Sequence, residues 1–304
     1  MIEAMTRMTP KIYKGLISLL LGLILPLLGP FFPGFAEFSG PPRNPSIITP
    51  FGEYTAFTPR GDIRRFAGET LYYDIDFLFF KKAASAEVKF YEYKGKYFAS
   101  LSAETKGIVG FFTNYRKHYY KSSFDIVDKG RRVRTRKFER FVINGDIEER
   151  TVHFLDYINN KHFWFLFKSG ELITSQKDPI PEGVVYDDIL AVFYNFRNGV
   201  YGDLKKGKTY KIDTIPDLSM KNVTAYINTE KEQEQLRIFE DRPKKSELLL
   251  NVLIPKDVFK TQTGELIFWT SKHYIPMETT IKNFILLGDL HAKLARGAAG
   301  KLKR

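Results

Sequence analysis

Gly202-Asp203-Leu204-Lys205-Lys206-Gly207-Lys208-Thr209 carries the letters of a phosphate-binding loop, in which backbone N–H groups cradle phosphates and the lysine reaches the terminal ones. That chemistry needs a strand before the loop and a helix after it. Here a helical stretch precedes the segment and the alternating Tyr210, Ile212 and Ile215 follow, so it reads as a Gly and Lys turn entering a strand, with no nucleotide bound. Arg132, Arg134, Arg136 and Arg140 fall on one face of an expected strand, with Arg131 and Lys137 beside them. Guanidinium groups in such a row can hold phosphate or carboxylate in bidentate contacts. The same row can instead be a solvated strand kept from aggregating by its charge.

Other reactive residue types are present without the spacing that chemistry requires. His118, His153, His162, His273 and His291 show no metal-ligand spacing, and there is no Gly-x-Ser-x-Gly elbow. Asp74 and Asp76 share a strand face and could form a carboxylate pair, but alternation makes them the wet side of that strand. Phe163-Trp164-Phe165 and Phe268-Trp269 could stack on a ligand or fill a core. Phe138 and Phe141 near the arginines lie in no nucleic-acid-binding motif. The absence of Cys removes disulfides, thiolate metal sites, cysteine nucleophiles and a lipidated N-terminal Cys together. The residues therefore point to a protein that is not an enzyme and uses neither metal nor cofactor.

The elements that must position these residues are mainly strands. Leu71, Tyr73, Ile75, Phe77 and Phe79 alternate with polar neighbours, as do Ala84, Ala86, Val88 and Phe90, and then Tyr97, Ala99, Leu101 and Ala103. With a turn at Lys94-Gly95-Lys96 this is an antiparallel meander. Further strands are expected over residues 119 to 127, 132 to 143, 149 to 157 and 161 to 167, with Asn144-Gly145 the strongest hairpin signal. One helix interrupts them: Asp187 or Asp188 caps it, Ile189, Leu190, Phe193 and Tyr194 share a face, and Gly199 closes it. Strands resume over residues 209 to 215, 222 to 228, 236 to 240, 247 to 254, 265 to 270 and 276 to 286, and Leu290, Ala292 and Leu294 form a last short one. The expected fold is a curved antiparallel sheet, a partly open β-barrel or a two-sheet arrangement with one central helix. An apolar groove in it would be lined by Tyr73, Ile75, Phe77, Phe79, Val88, Phe90, Leu101 and, from the helix, Phe193.

The chain begins with an export signature. Arg7, Lys11 and Lys14 precede 22 uncharged residues, Gly15 to Ala36, and Gly34 and Ala36 stand at the −3 and −1 positions of a cleavage site before Glu37. The competing reading is an uncleaved anchor, against which Pro26, Pro30 and Pro33 count as helix breakers. The protein is thus expected in the periplasm of a Gram-negative bacterium, or held at the inner membrane facing it. Residues 37 to 65 read as a Pro-rich extended arm, residues 66 to 295 as the β-rich domain with a possible sub-boundary near 200, and residues 296 to 304 as a basic, fraying tail. The net charge of +12, of which the export segment contributes three basic and one acidic residue, favours anionic surfaces without naming one.

Several landmarks occur in a characteristic order: Gly68-Glu69-Thr70-Leu71-Tyr72-Tyr73, Ala83-Ala84-Ser85-Ala86, Asp188-Ile189-Leu190 with Tyr194-Asn195-Phe196-Arg197, Gly207-Lys208, Phe268-Trp269-Thr270-Ser271 before Pro276, and Gly288-Asp289-Leu290-His291-Ala292-Lys293-Leu294. Over residues 66 to 295 the chain in this way resembles the bacterial domain-of-unknown-function 3108 family. It departs from it in the long Pro-rich arm and in lacking an acidic partner beside the Trp segment. The resemblance implies an exported, β-rich fold with a relation to open-barrel lipoprotein carriers, and it brings no catalytic residues. Two functional readings stay open. One is a binding or carrier module for an apolar or amphipathic ligand such as lipid. The other is a structural or assembly protein that contacts anionic lipid or another envelope protein through its basic surface.

Overall fold

The computed structural model describes residues 59–216, 222–242, 247–256, 261–284 and 288–298. The export segment and residues 37 to 58 of the arm lie outside them. The chain forms β1 (Glu69–Phe77), β2 (Phe80–Tyr93), β3 (Lys96–Thr105), a short helix α1 (Gly107–Phe112), β4 (Lys117–Val127), β5 (Arg132–Asn144), β6 (Ile147–Asp156), β7 (Lys161–Lys168) and β8 (Glu171–Pro179). The central helix α2 (Ile189–Arg197) follows, then β9 (Thr209–Asp213), β10 (Asn222–Ile227), helix α3 (Glu230–Phe239), β11 (Leu248–Leu253), β12 (Glu265–Thr270), β13 (Pro276–Ile281) and β14 (Leu290–Ala298). The strands make one 14-stranded antiparallel sheet in the order 8-7-6-5-4-3-2-1-14-13-12-11-10-9.

The sheet curves because it packs on opposite faces of one helix. Leu190, Ala191 and Tyr194 of α2 join Phe90, Ala99, Tyr120 and Val133 in one core cluster, whereas Val192 and Phe196 join Tyr210, Val223, Ala225 and Leu266 in a second. Residues 190 and 194 share one side of a helix and 192 and 196 another, so the two halves of the sheet must wrap around it. A parallel bridge from Asp187, just before α2, to Thr214, just after β9, ties the start of the helix to one edge of the sheet.

Several sequence-based expectations are corrected. The first strand ends at Phe77, and Leu78 and Phe79 form the tight turn into β2, so Phe79 leaves the inward alternation. Of the strand expected over residues 236 to 240, residues 236 to 239 are helical and Glu240 is the C-cap: Thr229 and Glu232 build a reciprocal capping box that starts α3, and that cap outweighs the weak strand preference. Ile63 and Phe66 are fully buried in a single 3-10 turn whose Phe66 ring packs on Phe90 and Tyr194, so the core begins within the segment expected to be an arm. Residues 296 to 298 are likewise part of the sheet, because β14 pairs with the outer edge of β1 and satisfies its backbone groups. Lys208 enters β9 directly, the turn-to-strand geometry that a phosphate-binding loop lacks.

Candidate functional site

Helix α2 is held in the sheet by polar clamps along its length. At its start the Asp188 carboxylate caps the helix, accepting from the Leu190 and Ala191 amides at 2.8 and 3.1 Å, and also from the hydroxyls of Ser122 and Thr135 at 2.7 and 2.6 Å. Midway, the Asn195 amide pairs with the backbone of Val133, donating at 2.9 Å and accepting at 3.0 Å. At its end Arg197 donates to both oxygens of Glu69 at 2.6 and 2.9 Å, both side chains being buried, and its guanidinium lies over Phe66 and Phe193. Asn198 then donates to the carbonyls of Gly61 and Arg131, closing this end of the sheet.

Two cavities remain beside the helix. The first, about 280 Å³, is almost wholly apolar. Its near wall is the inner face of β1 to β3, with Tyr73, Ile75, Val88 and Leu101; α2 adds Phe193, and the second half of the sheet adds Val252 and Phe268. It exists because side chains on that face are small toward one end. Along β2 the inward residues run Ala84, Ala86, Val88, Phe90, and only Phe90 fills the space under the helix. Glu104, Thr105, Arg116 and Phe284 stand around the cavity at the end away from Arg197.

Of the eight groove residues expected from sequence, five therefore line this cavity: Tyr73, Ile75, Val88, Leu101 and Phe193. Three do not. Phe90 is fully buried against Tyr194 and Phe124, at ring distances of 4.7 and 6.1 Å. Phe77 packs with Ala83 and Val109 in a satellite cluster, and Phe79 is 79% exposed. Ala84, Ala86, Ala103 and Ala292 also line the cavity. Their smallness was visible in the sequence, but alanine reads there as strand filler rather than as a void.

The second cavity, about 420 Å³, is polar on one side. The arginine row leads into it by way of a correction. Lys137 pairs with Ser123 and Thr135 with Phe124, which leaves Arg136 as the extra residue of a β-bulge. A bulge reverses the alternation, so Arg140 turns inward while Arg132 and Arg134 lie on the face opposite Val133 and Thr135. The row is thus divided, and each member meets a carboxylate: Arg132 with Asp187 at 2.8 Å, Arg134 and Arg136 with Asp125 at 3.0 and 3.6 Å, Arg140 with Glu149 at 2.6 Å.

Around this cavity stand Arg140, Glu149, His153, Trp164, Gln176 and Asp178. His153 Nδ1 lies 3.0 Å from His162 Nε2 with the rings stacked, a pair that sequence spacing did not show because it forms across β6 and β7. Burial, with His162 and Arg140 nearby, pushes the His153 imidazole down to about 3, so it is neutral at ordinary pH. Asp187 is fully buried and its pKa rises to about 6 through that burial; Arg132, Tyr201 and Asn195 oppose the rise and Asp188 adds to it. Tyr201 donates to one of its oxygens at 2.7 Å. Ile189 and Val223 border both cavities, so the apolar and polar spaces adjoin at the start of α2. Among the described residues no group of three or more His, Asp or Glu side chains is placed to hold a metal ion.

No family model matches the chain, and no curated protein matches it. Among solved structures it is similar to the crystal structure of a β-barrel-like protein of domain of unknown function 1849 from Brucella abortus, at 11% identity and a TM-score of 0.43, over 78% of this chain and 100% of that one.

Proposed function

We propose that this chain is a non-catalytic envelope protein that binds or carries an apolar or amphipathic ligand such as a lipid, with residues 1 to 36 directing export to the periplasm. The observation that carries the reading is the apolar cavity of about 280 Å³ beside a helix that buried polar clamps hold in place. A dry core of this composition fills such a space with side chains, whereas a pre-formed apolar cleft with a few polar groups at its border is the usual form of a ligand site. The adjoining polar cavity offers hydrogen-bonding groups where the head of an amphipathic molecule would emerge. On the same proposal residues 66 to 295, whose landmark order resembles the domain-of-unknown-function 3108 family, are related to it.

The alternative, a structural or assembly protein that contacts anionic lipid or another envelope protein through its basic surface, draws less support from the arginine row, because all four arginines already engage carboxylates. Uptake of the fluorescent apolar probe N-phenyl-1-naphthylamine tests the proposal. The wild-type protein is expected to bind it saturably, and Leu101→Trp, which fills the cavity, is expected to weaken binding at least tenfold while the protein stays folded. No saturable uptake by the wild type would overturn the carrier reading.

A further inference from the structure

Antiparallel strands in a meander put alternate turns at the same end. The β1–β2 turn, α1 and the loop after it, the β5–β6 turn and the β7–β8 turn therefore share the end of the sheet away from the Arg197 to Glu69 clamp. Large apolar side chains are exposed there: Leu78, Phe79, Ile108, Phe111, Ile147 and Leu172. The parts that carry them are joined into one rim. Val109 of α1 packs on Phe77 and Ala83 at the first hairpin; the Gly145 amide donates to the Asn114 carbonyl at 3.1 Å; and the Ser169 amide donates to the Glu148 carbonyl at 2.8 Å. The turn that presents Phe79 holds Leu78 at a φ of +52°, a conformation that Gly or Asn adopts at lower cost, so apolar side chains occupy a position where turn chemistry favours others.

We infer that this rim docks on the surface of a lipid bilayer. Three observations select that occupant. Lys81, Lys82 and Lys106 stand exposed among the apolar residues; the pairs of Lys82 with Asp74 and of Lys106 with Glu104 are surface pairs of little worth, which lipid phosphates can replace, while Lys81 keeps its ammonium exposed above the more buried Asp76. Apolar side chains that enter the acyl boundary, with ammonium groups at headgroup level, are the composition of an interfacial contact. A second copy of the chain on the same face would instead set these lysines against their own kind, in a protein of net charge +12. The rim also continues into the border of the apolar cavity at Thr105 and Phe284, so a molecule leaving the bilayer there meets an apolar path. None of the described helices is long and apolar enough to cross a membrane.

The absence of Cys allows a test on the full chain that is blind to anchoring by its N-terminal segment. An environment-sensitive nitrobenzoxadiazole label is attached to Phe79→Cys, to Ile108→Cys and, at the opposite end, to Ile158→Cys. The protein is then mixed with vesicles of phosphatidylcholine and phosphatidylglycerol that carry nitroxide-labelled lipid. Labels at 79 and 108 are expected to shift to the blue and to lose at least half their emission to the nitroxide, and the label at 158 to do neither. Equal response at the two ends, or no response at 79 and 108, would overturn the inference. So would a blue shift without vesicles that grows with protein concentration and accompanies a doubled mass in light scattering, which would identify a second copy as the occupant. Uptake of N-phenyl-1-naphthylamine in solution is expected to survive Phe79→Glu, so failure of the docking surface and failure of the carrier reading give different results.

Discussion

The two ends of the sheet are built on opposite principles. At the closed end, a buried Arg197 to Glu69 pair, the Asn198 bridges and the Phe66, Phe90 and Tyr194 rings pack one side of the helix tightly against the sheet. At the open end the inward residues shrink to Ala84, Ala86 and Ala103, and the two cavities open. One strand, β2, passes from one regime to the other within four inward positions. Side-chain volume, with strand number and pairing unchanged, decides which end is a core and which a container.

The contrast is broken most strongly at the clamp. Glu69→Ala leaves a buried guanidinium without its carboxylate and is expected to cost about 3–5 kcal/mol in urea unfolding, whereas Glu69→Leu combined with Arg197→Met should recover most of it. Equal loss in the single and double variants would show that the pair is not what closes this end. The taper along β2 gives a sharper comparison. Phe90→Ala is expected to lose about 3–5 kcal/mol, and Val88→Ala, two residues away on the same face, only about 1 kcal/mol, because it enlarges a space that is already present. Similar losses at both positions would mean that no container exists in solution.

The smallest of the three effects concerns the polar cavity and depends on pH. With its folded-state pKa depressed to about 3, His153 refuses a proton that the unfolded chain accepts. Its contribution to stability is therefore complete above the ordinary histidine value and is lost as the pH falls from there toward 3, by at most ~1.4 kcal/mol per pH unit. Asp187, raised to about 6, works in the opposite direction: its contribution is present below the ordinary carboxylate range and fades as the pH rises through 6. Thermal melts between pH 7 and 5 should show the wild type losing ~2 kcal/mol more than His153→Gln. An unchanged pH slope in that variant would place His153 in water rather than in the cavity wall.

Much of this was legible in the chain. Alternation gave the meander, and Asp188 with the 190, 193, 194 spacing gave the one helix that organises the interior. The failures have distinct causes. Phe79 continued the alternation of β1 on paper, but a two-residue turn intervenes, and periodicity carries no information about where a strand stops. Arg140 lies on the face opposite to the one its spacing implies, because a single bulge at Arg136 inverts every later position and nothing local marks it. The His153 and His162 pair and the Arg197 to Glu69 pair are contacts between strands or between a helix and a strand far away in sequence, beyond the reach of spacing rules. Thr229 and Glu232 have the spacing of a capping box in the sequence itself, and that signal outranks the strand pattern of residues 236 to 240.

The strand order has a consequence for how the protein is made. Both free edges of the sheet, β8 and β9, come from the middle of the chain, while the first and last strands, β1 and β14, meet at the centre of the sheet. During synthesis each hairpin can form as it emerges, yet the outer edge of β1 stays unpaired until the final strand is released. A nascent chain thus carries an open hydrogen-bonding ladder on β1 until then, a template for pairing with a neighbour. The nine residues of β14, Leu290–Ala298, act as the seam that ends this exposure, so premature termination before them leaves two half-sheets joined only through α2 and without a hydrogen-bonded ladder between them.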